Sequence, residues 1–429
     1  MKKSLVYILL MFFLTIQGLT LEAQRFPKPE FENGHTQPAV QQAEPRSNTW
    51  EWVDIFVLFA SLTVVSWLVI KKRSRRGVLY MSVFSILYFG FFREGCICSV
   101  GSVQNVTLAL FNPGYVIPVS AILFFILPLI FTLFFGRTFC AGVCPLGAIQ
   151  DLVAIRPMEI KPWLQKTLGI LPFVYLGLAV LYSATASDFV ICRYDPFIGI
   201  YRLDGTFLMF VIGGLLLLMG VFIARPYCRF LCPYGVLLNW VSRFSKNHLT
   251  ITPSSCIECR LCEHSCPYGA IEKPVSENYK LDRKLMVRRF LSLAVIIPVL
   301  ITVGAWTGYQ ISDELAMVNP KVSMANQLSE AEDNPERELT LNVESFRSSG
   351  KPAAEIYEEA KDLLGDFSTG STLLGAFIGL IIGLTLASLA KFKYRQDFEP
   401  NKGNCLSCAR CIDFCPVEKD GIFEKNNLT

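Results

Sequence analysis

The chain has 429 residues, of which 52% are hydrophobic and 18% are charged. A typical soluble domain carries roughly 25% charged residues, so this composition excludes a disordered chain, a secreted disulfide miniprotein and an ordinary cytosolic enzyme. The net charge of +4 argues against a nucleic-acid partner. Fifteen cysteines against three histidines favour metals held by thiolates over imidazole-based sites. We therefore expect a membrane protein that carries soft-metal centres.

The first 52 residues predict an exported amino terminus. Residues 1–23 have the pattern of a secretory signal peptide, with two lysines, an apolar core and a Leu-Glu-Ala exit before Gln24. An uncleaved anchor is the alternative for the same pattern. Residues 24–52 are polar and contain proline, so we expect an extracytoplasmic tether in either case.

Seven apolar stretches, most of them near the ~20 residues that a bilayer requires, predict an all-α polytopic membrane helical bundle. They are residues 53–70, 78–92, 116–135, 168–186, 207–224, 290–309 and 373–389. Five of the six residues 71–76 are basic, which places that end of the first span in the cytoplasm. The stretch 78–92 is short, and a re-entrant segment is the alternative there.

Alternating crossings assign the loops to sides of a bacterial cytoplasmic (inner) membrane. Loops 137–167 and 225–289 become cytoplasmic and are rich in Lys and Arg. Loop 311–370 becomes extracytoplasmic and has 13 acidic and 5 basic residues. The charge bias of the loops therefore agrees with the alternation.

Two segments share the cysteine spacing C-x2-C-x2-C-x3-C-P. The first motif holds Cys256, Cys259, Cys262 and Cys266, and the second holds Cys405, Cys408, Cys411 and Cys415. Three thiolates at this spacing can wrap one corner of a 4Fe–4S cluster, and bacterial ferredoxins use this run. Paired zinc sites are the alternative, although zinc ligands normally come as separated pairs of cysteines.

In two-cluster ferredoxins the fourth cysteine of each run binds the other cluster. The same crossing here predicts one cluster on Cys256, Cys259, Cys262 and Cys415, and a second on Cys405, Cys408, Cys411 and Cys266. Spans six and seven form a hairpin that returns the second motif to the cytoplasmic side of the first. We therefore predict one composite, ferredoxin-like α+β domain, with two independent four-ligand clusters as the alternative.

This organisation divides the chain into named parts. They are a five-span membrane domain at 53–247, ferredoxin halves at 248–289 and 392–429, span six at 290–309, an acidic extracytoplasmic loop at 310–372 and span seven at 373–391.

Two further cysteine pairs resemble each other and predict an internal duplication. Cys140 and Cys144 lie in one C-x3-C-P motif, and Cys228 and Cys232 lie in the other, each after an apolar span and a conspicuous Arg. The spacing predicts both thiols of a pair on one face of a helical turn. Four such thiolates could hold a third metal centre or act in redox chemistry. Reduced, packed structural thiols are the alternative.

The combination of two C-x3-C-P motifs at span ends with two ferredoxin runs resembles the NosR/NapH-type membrane-bound polyferredoxins. The resemblance covers roughly residues 50–420. It implies electron transfer between a cytoplasmic or membrane donor and an extracytoplasmic reductase. Residues 24–52 are too short for the flavin domain that NosR-type proteins carry ahead of their spans.

Three cysteines remain on the predicted outer side, namely Cys96, Cys98 and Cys192. Extracytoplasmic thiols usually pair as disulfides. The alternative is an outer metal or electron-exit site, in which Asp195 could join the three thiolates.

Residues 366–372 resemble the motif on which the Rnf and Nqr flavoprotein subunits carry FMN through a phosphodiester bond to threonine. The resemblance implies Thr372 as the FMN acceptor, with Ser371 where the family usually has Ala. The alternative is that these polar residues cap the seventh span. Separately, residues 353–364 predict a short amphipathic helix rich in Glu.

The function predicted from these motifs is one-electron conduction, in a component of an oxidoreductase system rather than a stand-alone enzyme. Electrons would pass from a cytoplasmic redox protein or quinol through the two clusters and the C-x3-C-P thiols to an extracytoplasmic acceptor. His264 is at most an indirect neighbour of a cluster, and His35 and His248 are expected at the surface. Two alternatives are copper binding or reduction for metalloenzyme assembly, as in CcoG-type proteins, because soft thiolates select Cu(I), and a membrane redox sensor.

Overall fold

The computed structural model describes residues 47–95, 98–155, 157–158, 160–251, 256–274, 283–333, 340–348, 352–390 and 398–419. The predicted signal peptide, most of the predicted tether, His35 and Cys96 lie outside these residues. By its contacts the chain divides into a large unit, Arg46–Glu330 with Pro352–Thr429, and a small one. Of the small unit, residues 331–333 and 340–348 are described.

The described part of the chain is mostly helical. In the first half, the helices are α1 Asn48–Ile70, α2 Arg75–Ser85 continued by a π-helical segment Ile86–Phe92, α3 Ser99–Phe111, α4 Val119–Phe135, α5 Thr138–Gly142, α6 Pro145–Val153, α7 Pro162–Leu168, α8 Leu171–Ala184, α9 Val190–Arg193 and α10 Ile198–Arg202. In the second half they are α11 Phe207–Phe222, α12 Pro226–Phe230, α13 Pro233–Ser242, α14 Leu261–Ser265, α15 Arg283–Gln310, α16 Ser312–Ala316, α17 Pro320–Asp333, α18 Leu341–Ser348, α19 Ala353–Ala390, α20 Arg410–Asp413 and α21 Pro416–Lys419.

Four helical stretches are long and apolar enough to cross a membrane, namely Asn48–Ile70, Trp163–Ala184, Leu291–Gln310 and Ala353–Ser388. They coincide with the first, fourth, sixth and seventh predicted spans. The third and fifth predicted spans correspond to the shorter apolar helices Val119–Phe135 and Phe207–Phe222. A mostly helical fold with four candidate membrane spans is therefore confirmed, while the count of seven spans and their sidedness stay predictions.

Two predicted boundaries differ from the structure. Helix α1 begins at Asn48, so the last residues assigned to the tether are helical. Helix α19 runs without a break through the predicted border between loop 310–372 and span seven. The polar residues before Leu373 do not cap a helix, because the hydroxyls of Ser371 and Thr372 donate to the carbonyls of Phe367 and Ser368 inside it.

Helices α15 and α19 pack along a seam of glycines. A Cβ atom added to Gly304 or Gly308 would collide with the backbone of α19, and one added to Gly375 or Gly379 would collide with the backbone of α15. Small residues let two apolar helices approach closely where no hydrophobic effect drives them together. The seam therefore holds the hairpin that separates the two ferredoxin motifs in the chain.

The described strands join the two ferredoxin halves. Strand β1, Ile271–Glu272, follows the first motif, and β2, Glu399–Pro400, precedes the second. They pair antiparallel, with Ile271 opposite Pro400. The amide of Asn401 also donates to the carbonyl of Ala270 over 2.7 Å. The two halves thus form one small α+β lobe.

Candidate metal centres

A first cavity is lined by cysteines from both ferredoxin motifs. These are Cys256, Cys259 and Cys262 of the first motif and Cys415 of the second. Ile251, Phe398 and Val417 supply apolar walls. A 4Fe–4S cluster needs four thiolates and a largely dry pocket, and this set of side chains fits it. The structure therefore brings together the four residues that the crossing predicts for one cluster.

A second cavity repeats the arrangement with the motifs exchanged. It is lined by Cys405, Cys408 and Cys411 of the second motif and by Cys266 of the first. Leu249, Ile271 and Leu406 are among its apolar walls. These four thiols also fit a 4Fe–4S cluster, and they are the second predicted set.

The two cysteine loops share an unusual backbone. Glu258 and Arg260 flank the second cysteine of the first motif with φ angles of 51° and 60°, and Ser407 and Ala409 flank the corresponding cysteine with 52° and 59°. A left-handed conformation costs a non-glycine residue roughly 1–2 kcal/mol. Alternating conformations of this kind turn backbone N–H groups towards one point and form concave anion sites, including many iron–sulfur sites. The repeated strain therefore favours a bound anionic cluster at both loops.

Backbone donors reach the cysteine sulfurs of the second cavity. The amides of Ser407 and Ala270 donate to the sulfurs of Cys405 and Cys266, each over 3.4 Å. Burial raises the pKa of Cys405 to about 12, so a bound cation must displace its proton. Hydrogen bonds to sulfur are one of the means by which a protein tunes cluster potential.

The zinc alternative finds no support among the residues that the structure describes. Within them, no three side chains of His, Cys, Asp or Glu converge as the ligands of a single metal ion do. A cube takes each thiolate on a different iron atom, so its ligands stand farther apart.

The C-x3-C-P motifs do not fold as single helical turns, which corrects that prediction. Cys140 lies in α5 and Cys228 in α12, but Cys144 and Cys232 are extended residues that cap α6 and α13. Proline explains the break, because it disfavours a helical conformation in the preceding residue and is well suited to the first position of a new helix.

The two C-x3-C-P motifs nevertheless bring their thiols together. Burial raises the pKa of Cys144 well above its usual value, and the neighbouring thiols of Cys140, Cys228 and Cys232 add to that rise. We name these four residues the thiol cluster. Cys140, Cys144 and Cys232 are buried and Cys228 is partly buried.

Polar hydrogens point at three sulfurs of the thiol cluster. The guanidinium of Arg137 lies 3.8 Å from Cys140 Sγ, the amide of Gln150 donates to Cys228 Sγ over 3.4 Å, and the backbone of Gly235 donates to Cys232 Sγ over 3.3 Å. Burial raises the pKa of Cys228 to about 11, against the lowering effect of the Arg225 guanidinium. Such donors stabilise thiolates far better than neutral thiols.

Cys98 lies beside the thiol cluster, a placement that the sequence did not predict. Burial raises the pKa of Cys98 to about 12, and the nearby Asp195 and Cys192 add to the rise, while Cys98 in turn contributes to the raised pKa of Cys144 and of Cys232. Asp195 is 1% exposed, and its Oδ2 atom has no hydrogen-bond partner within the described residues. No disulfide joins Cys98 to Cys192. Cys96, the third member of the predicted outer set, is outside the described residues.

Two other predicted residues are placed differently from expectation. Thr372, the predicted FMN acceptor, lies inside α19 and donates its hydroxyl to the carbonyl of Ser368 over 2.7 Å. His248 is buried rather than exposed, and its Nδ1 atom lies 3.0 Å from the carbonyl of Leu249. It packs where a side chain on Gly136 would stand.

Sequence reasoning missed a buried charge group made of Asp151, Arg75 and Arg225. Oδ2 of Asp151 lies 2.5 Å from the guanidinium of Arg75 and 3.3 Å from that of Arg225. Burial opposes ionisation of Asp151, but Arg225 and Arg75 lower its pKa to about 2. The sequence showed the two arginines only as basic residues near span ends. The one available signal was a lone carboxylate seven residues after Cys144.

The charge group connects the second cavity with the thiol cluster. Arg75 donates to the carbonyl of Cys408 over 3.5 Å, and Arg225 donates to the carbonyls of Cys140 and Ala141. The Tyr268 hydroxyl, whose residue lines the second cavity, donates to Asp151 over 3.4 Å.

Comparison with known proteins agrees with these sites. Residues 117–170 and 205–252, which contain the thiol cluster, match a family described as a 4Fe-4S binding domain, and residues 249–272 match a second family of the same description. No solved structure gives a significant match.

The relatives point to iron–sulfur electron transfer. An uncharacterized protein of Methanocaldococcus jannaschii is 29% identical over 48% of this chain and 84% of its own length. YccM of Escherichia coli, named provisionally as an electron transport protein, is 28% identical over 34% of this chain and 46% of its own. The regulatory protein NosR of Stutzerimonas stutzeri is 27% identical over 51% of this chain and 33% of its own. The chain thus spans less than half of YccM and of NosR.

Taken together, the matches and the 4Fe-4S domains support a NosR/NapH-type iron–sulfur electron-transfer protein, which confirms the resemblance seen in the sequence.

Proposed function

We propose that the chain conducts electrons, one at a time, through two 4Fe–4S clusters held by crossed cysteine sets. The observation that carries this proposal is that each predicted set lines one cavity of its own. Bound clusters would supply reversible one-electron chemistry with little movement of their ligands. The protein residues hold the clusters, exclude water and set the cluster potentials.

The proposed route continues from the second cavity into the membrane helices. The charge group contacts the carbonyls of Cys408 and Cys140, so it lies between the second cavity and the thiol cluster. The thiol cluster would be the next station for the electron. Cys98 and Cys192 would carry the route towards the extracytoplasmic side. On the charge bias of the loops, the ferredoxin lobe faces the cytoplasm of a bacterial inner membrane. The donor would be a cytoplasmic redox protein or quinol, and the acceptor an extracytoplasmic redox protein.

We further propose that the thiol cluster is a third metal or redox centre. Three donors aimed at its sulfurs support thiolates in place of inert packed thiols. The same soft ligands suit Cu(I), so copper binding for metalloenzyme assembly is the second candidate function. A covalent FMN on Thr372 has less support, because its hydroxyl is engaged within the helix.

Metal and sulfide analysis of the purified full-length protein, with EPR of the reduced sample, tests the proposal. We expect about eight iron and eight sulfide atoms per chain for two cubes, and about twelve of each with a third. Stoichiometric copper that the Cys140→Ser/Cys228→Ser variant loses would favour metal handling. Zinc without a reducible signal would refute electron conduction.

A further inference from the structure

The charge group of Asp151, Arg75 and Arg225 has no part in binding a cluster directly, yet it lies against the second cavity. The Asp151 side chain is 1% exposed, and the side chains of Arg75 and Arg225 are 9% and 0% exposed. Burying three charges is costly, and apolar residues in their place are often neutral or stabilising. A purely structural role therefore gives a weak account of this group.

We propose that the charge group sets the reduction potential of the cluster in the second cavity, with Arg75 and Asp151 acting as positioning residues of opposite sign. This inference rests on the proposed function, because it requires a cluster on Cys405, Cys408, Cys411 and Cys266. The two arginines would make that cluster a better acceptor for an electron from the donor, and Asp151 would oppose them.

The charges of the group add up to +1, from two arginines and one aspartate. A cluster bound there would lower the net charge of the cavity by one unit if it took up one electron. A net positive neighbour stabilises the reduced form, and it does so strongly where both are shielded from water. Arg75 also donates to the carbonyl of Cys408, so it lies directly behind a ligand of the cluster.

The opposite signs of the two residues provide the test. In Arg75→Gln the group becomes neutral, and the cluster should become harder to reduce. In Asp151→Asn the group becomes +2, and the cluster should become easier to reduce. Each change should alter the reduction equilibrium at least tenfold, which is 59 mV for one electron. A residue that only supports the fold would weaken cluster binding in both variants without this reversal.

The double variant Arg75→Gln/Asp151→Asn restores the charge of +1 and should return the potential close to that of the unsubstituted protein. Lys273→Gln is the matched control, because it removes one positive charge two residues from Ile271, at a side chain that is 61% exposed. Solvent screens such a charge, so the control should shift the equilibrium less than twofold.

The measurement is an EPR-monitored redox titration of the full-length protein, with dithionite as reductant and circular dichroism to verify folding. The signal of the second cavity is identified as the one that Cys405→Ser alters.

Shifts of the same sign in both single variants, or shifts no larger than that of Lys273→Gln, would overturn the inference while leaving the two clusters in place. Should either single variant fail to fold, Arg225→Gln, which removes one positive charge from the group, is compared with Arg225→Lys, which keeps it. A potential that follows the net charge supports the proposal. A potential that moves in the charge-conserving variants refutes it. Absence of any reducible cluster in the unsubstituted protein would instead refute the proposed function.

Discussion

Ile271 pairs with Pro400 across a two-stranded antiparallel sheet, although helices α15 to α19 separate them in the chain. The pair holds the end of the first cysteine motif against the start of the second. Because the strands fix this register, Cys415 can reach the first cavity and Cys266 the second. The hairpin of α15 and α19 and this short sheet act together to assemble one lobe from two distant segments.

The crossing of ligands predicts which cluster each fourth cysteine supports. Cys415→Ser should perturb the EPR signal that Cys259→Ser also perturbs, and Cys266→Ser should perturb the signal that Cys408→Ser perturbs. The reason is that each pair lines one cavity. Iron analysis should show a fall from about eight to about four atoms per chain in each variant that loses a whole cube. Pairing of Cys415 with Cys408 instead would mean that each motif holds its own cluster.

Chemical labelling can test whether Cys259 is a ligand of the first cluster. Cys259 is exposed, whereas Cys405 is buried. An exposed thiol reacts readily with iodoacetamide unless iron occupies it. We expect slow modification of Cys259 in the iron-loaded protein and fast modification after chelation, while Cys405 reacts slowly in both states. Mass spectrometry of peptides after timed labelling measures both rates. Equal rates for Cys259 before and after chelation would show that it is not a ligand.

A bulky substitution in the glycine seam, far from both cavities, should release both clusters. A side chain on Gly375 would collide with the backbone of Gly304. Overpacking of this kind typically costs 1–3 kcal/mol, and separating α15 from α19 should move the ferredoxin halves apart. Gly375→Leu should therefore lower iron content and the visible absorbance of the clusters.

Gly365 provides the matched control for the seam. It lies in the same helix with nothing within 4 Å of an added Cβ. Gly365→Ala should keep full iron content, because alanine favours a helix by about 1 kcal/mol over glycine. A retained iron content in Gly375→Leu would show that the seam does not hold the lobe together.

Loss of the Asp151 ion pairs should lower the free energy of unfolding substantially. Asp151→Leu leaves two buried guanidinium groups without a carboxylate, and removing one partner of a buried pair costs about 3–5 kcal/mol. The pKa of Asp151 is lowered to about 2, so the pairs are intact at pH 7 and weaken only as the pH falls through that value. Thermal unfolding in detergent at pH 7 measures the loss. Lys273→Gln, at an exposed ion pair, should cost less than about 1 kcal/mol.

Much of the site could be predicted because cysteine spacing is a local property. The runs from Cys256 and from Cys405 fix which thiols lie on one loop, and the apolar stretches fix which segments become helices. The C-x3-C-P turns were predicted wrongly, since the proline after Cys144 starts a new helix and leaves that cysteine as its cap. The continuity of α19 was also missed, because its first half is polar and only its second half is apolar.

The sequence by itself determined the class of cofactor and the helical membrane character, because both follow from residue type at fixed local spacing. The sequence left crossed and independent ligand sets open, and only the tertiary structure placed Cys415 and Cys259 in one cavity, Cys98 near the thiol cluster, and Arg75 and Arg225 on one carboxylate. Those neighbours are distant in the chain. The first of these contacts depends on the α15–α19 hairpin and the short sheet, and the other two depend on how the helices before residue 248 pack together.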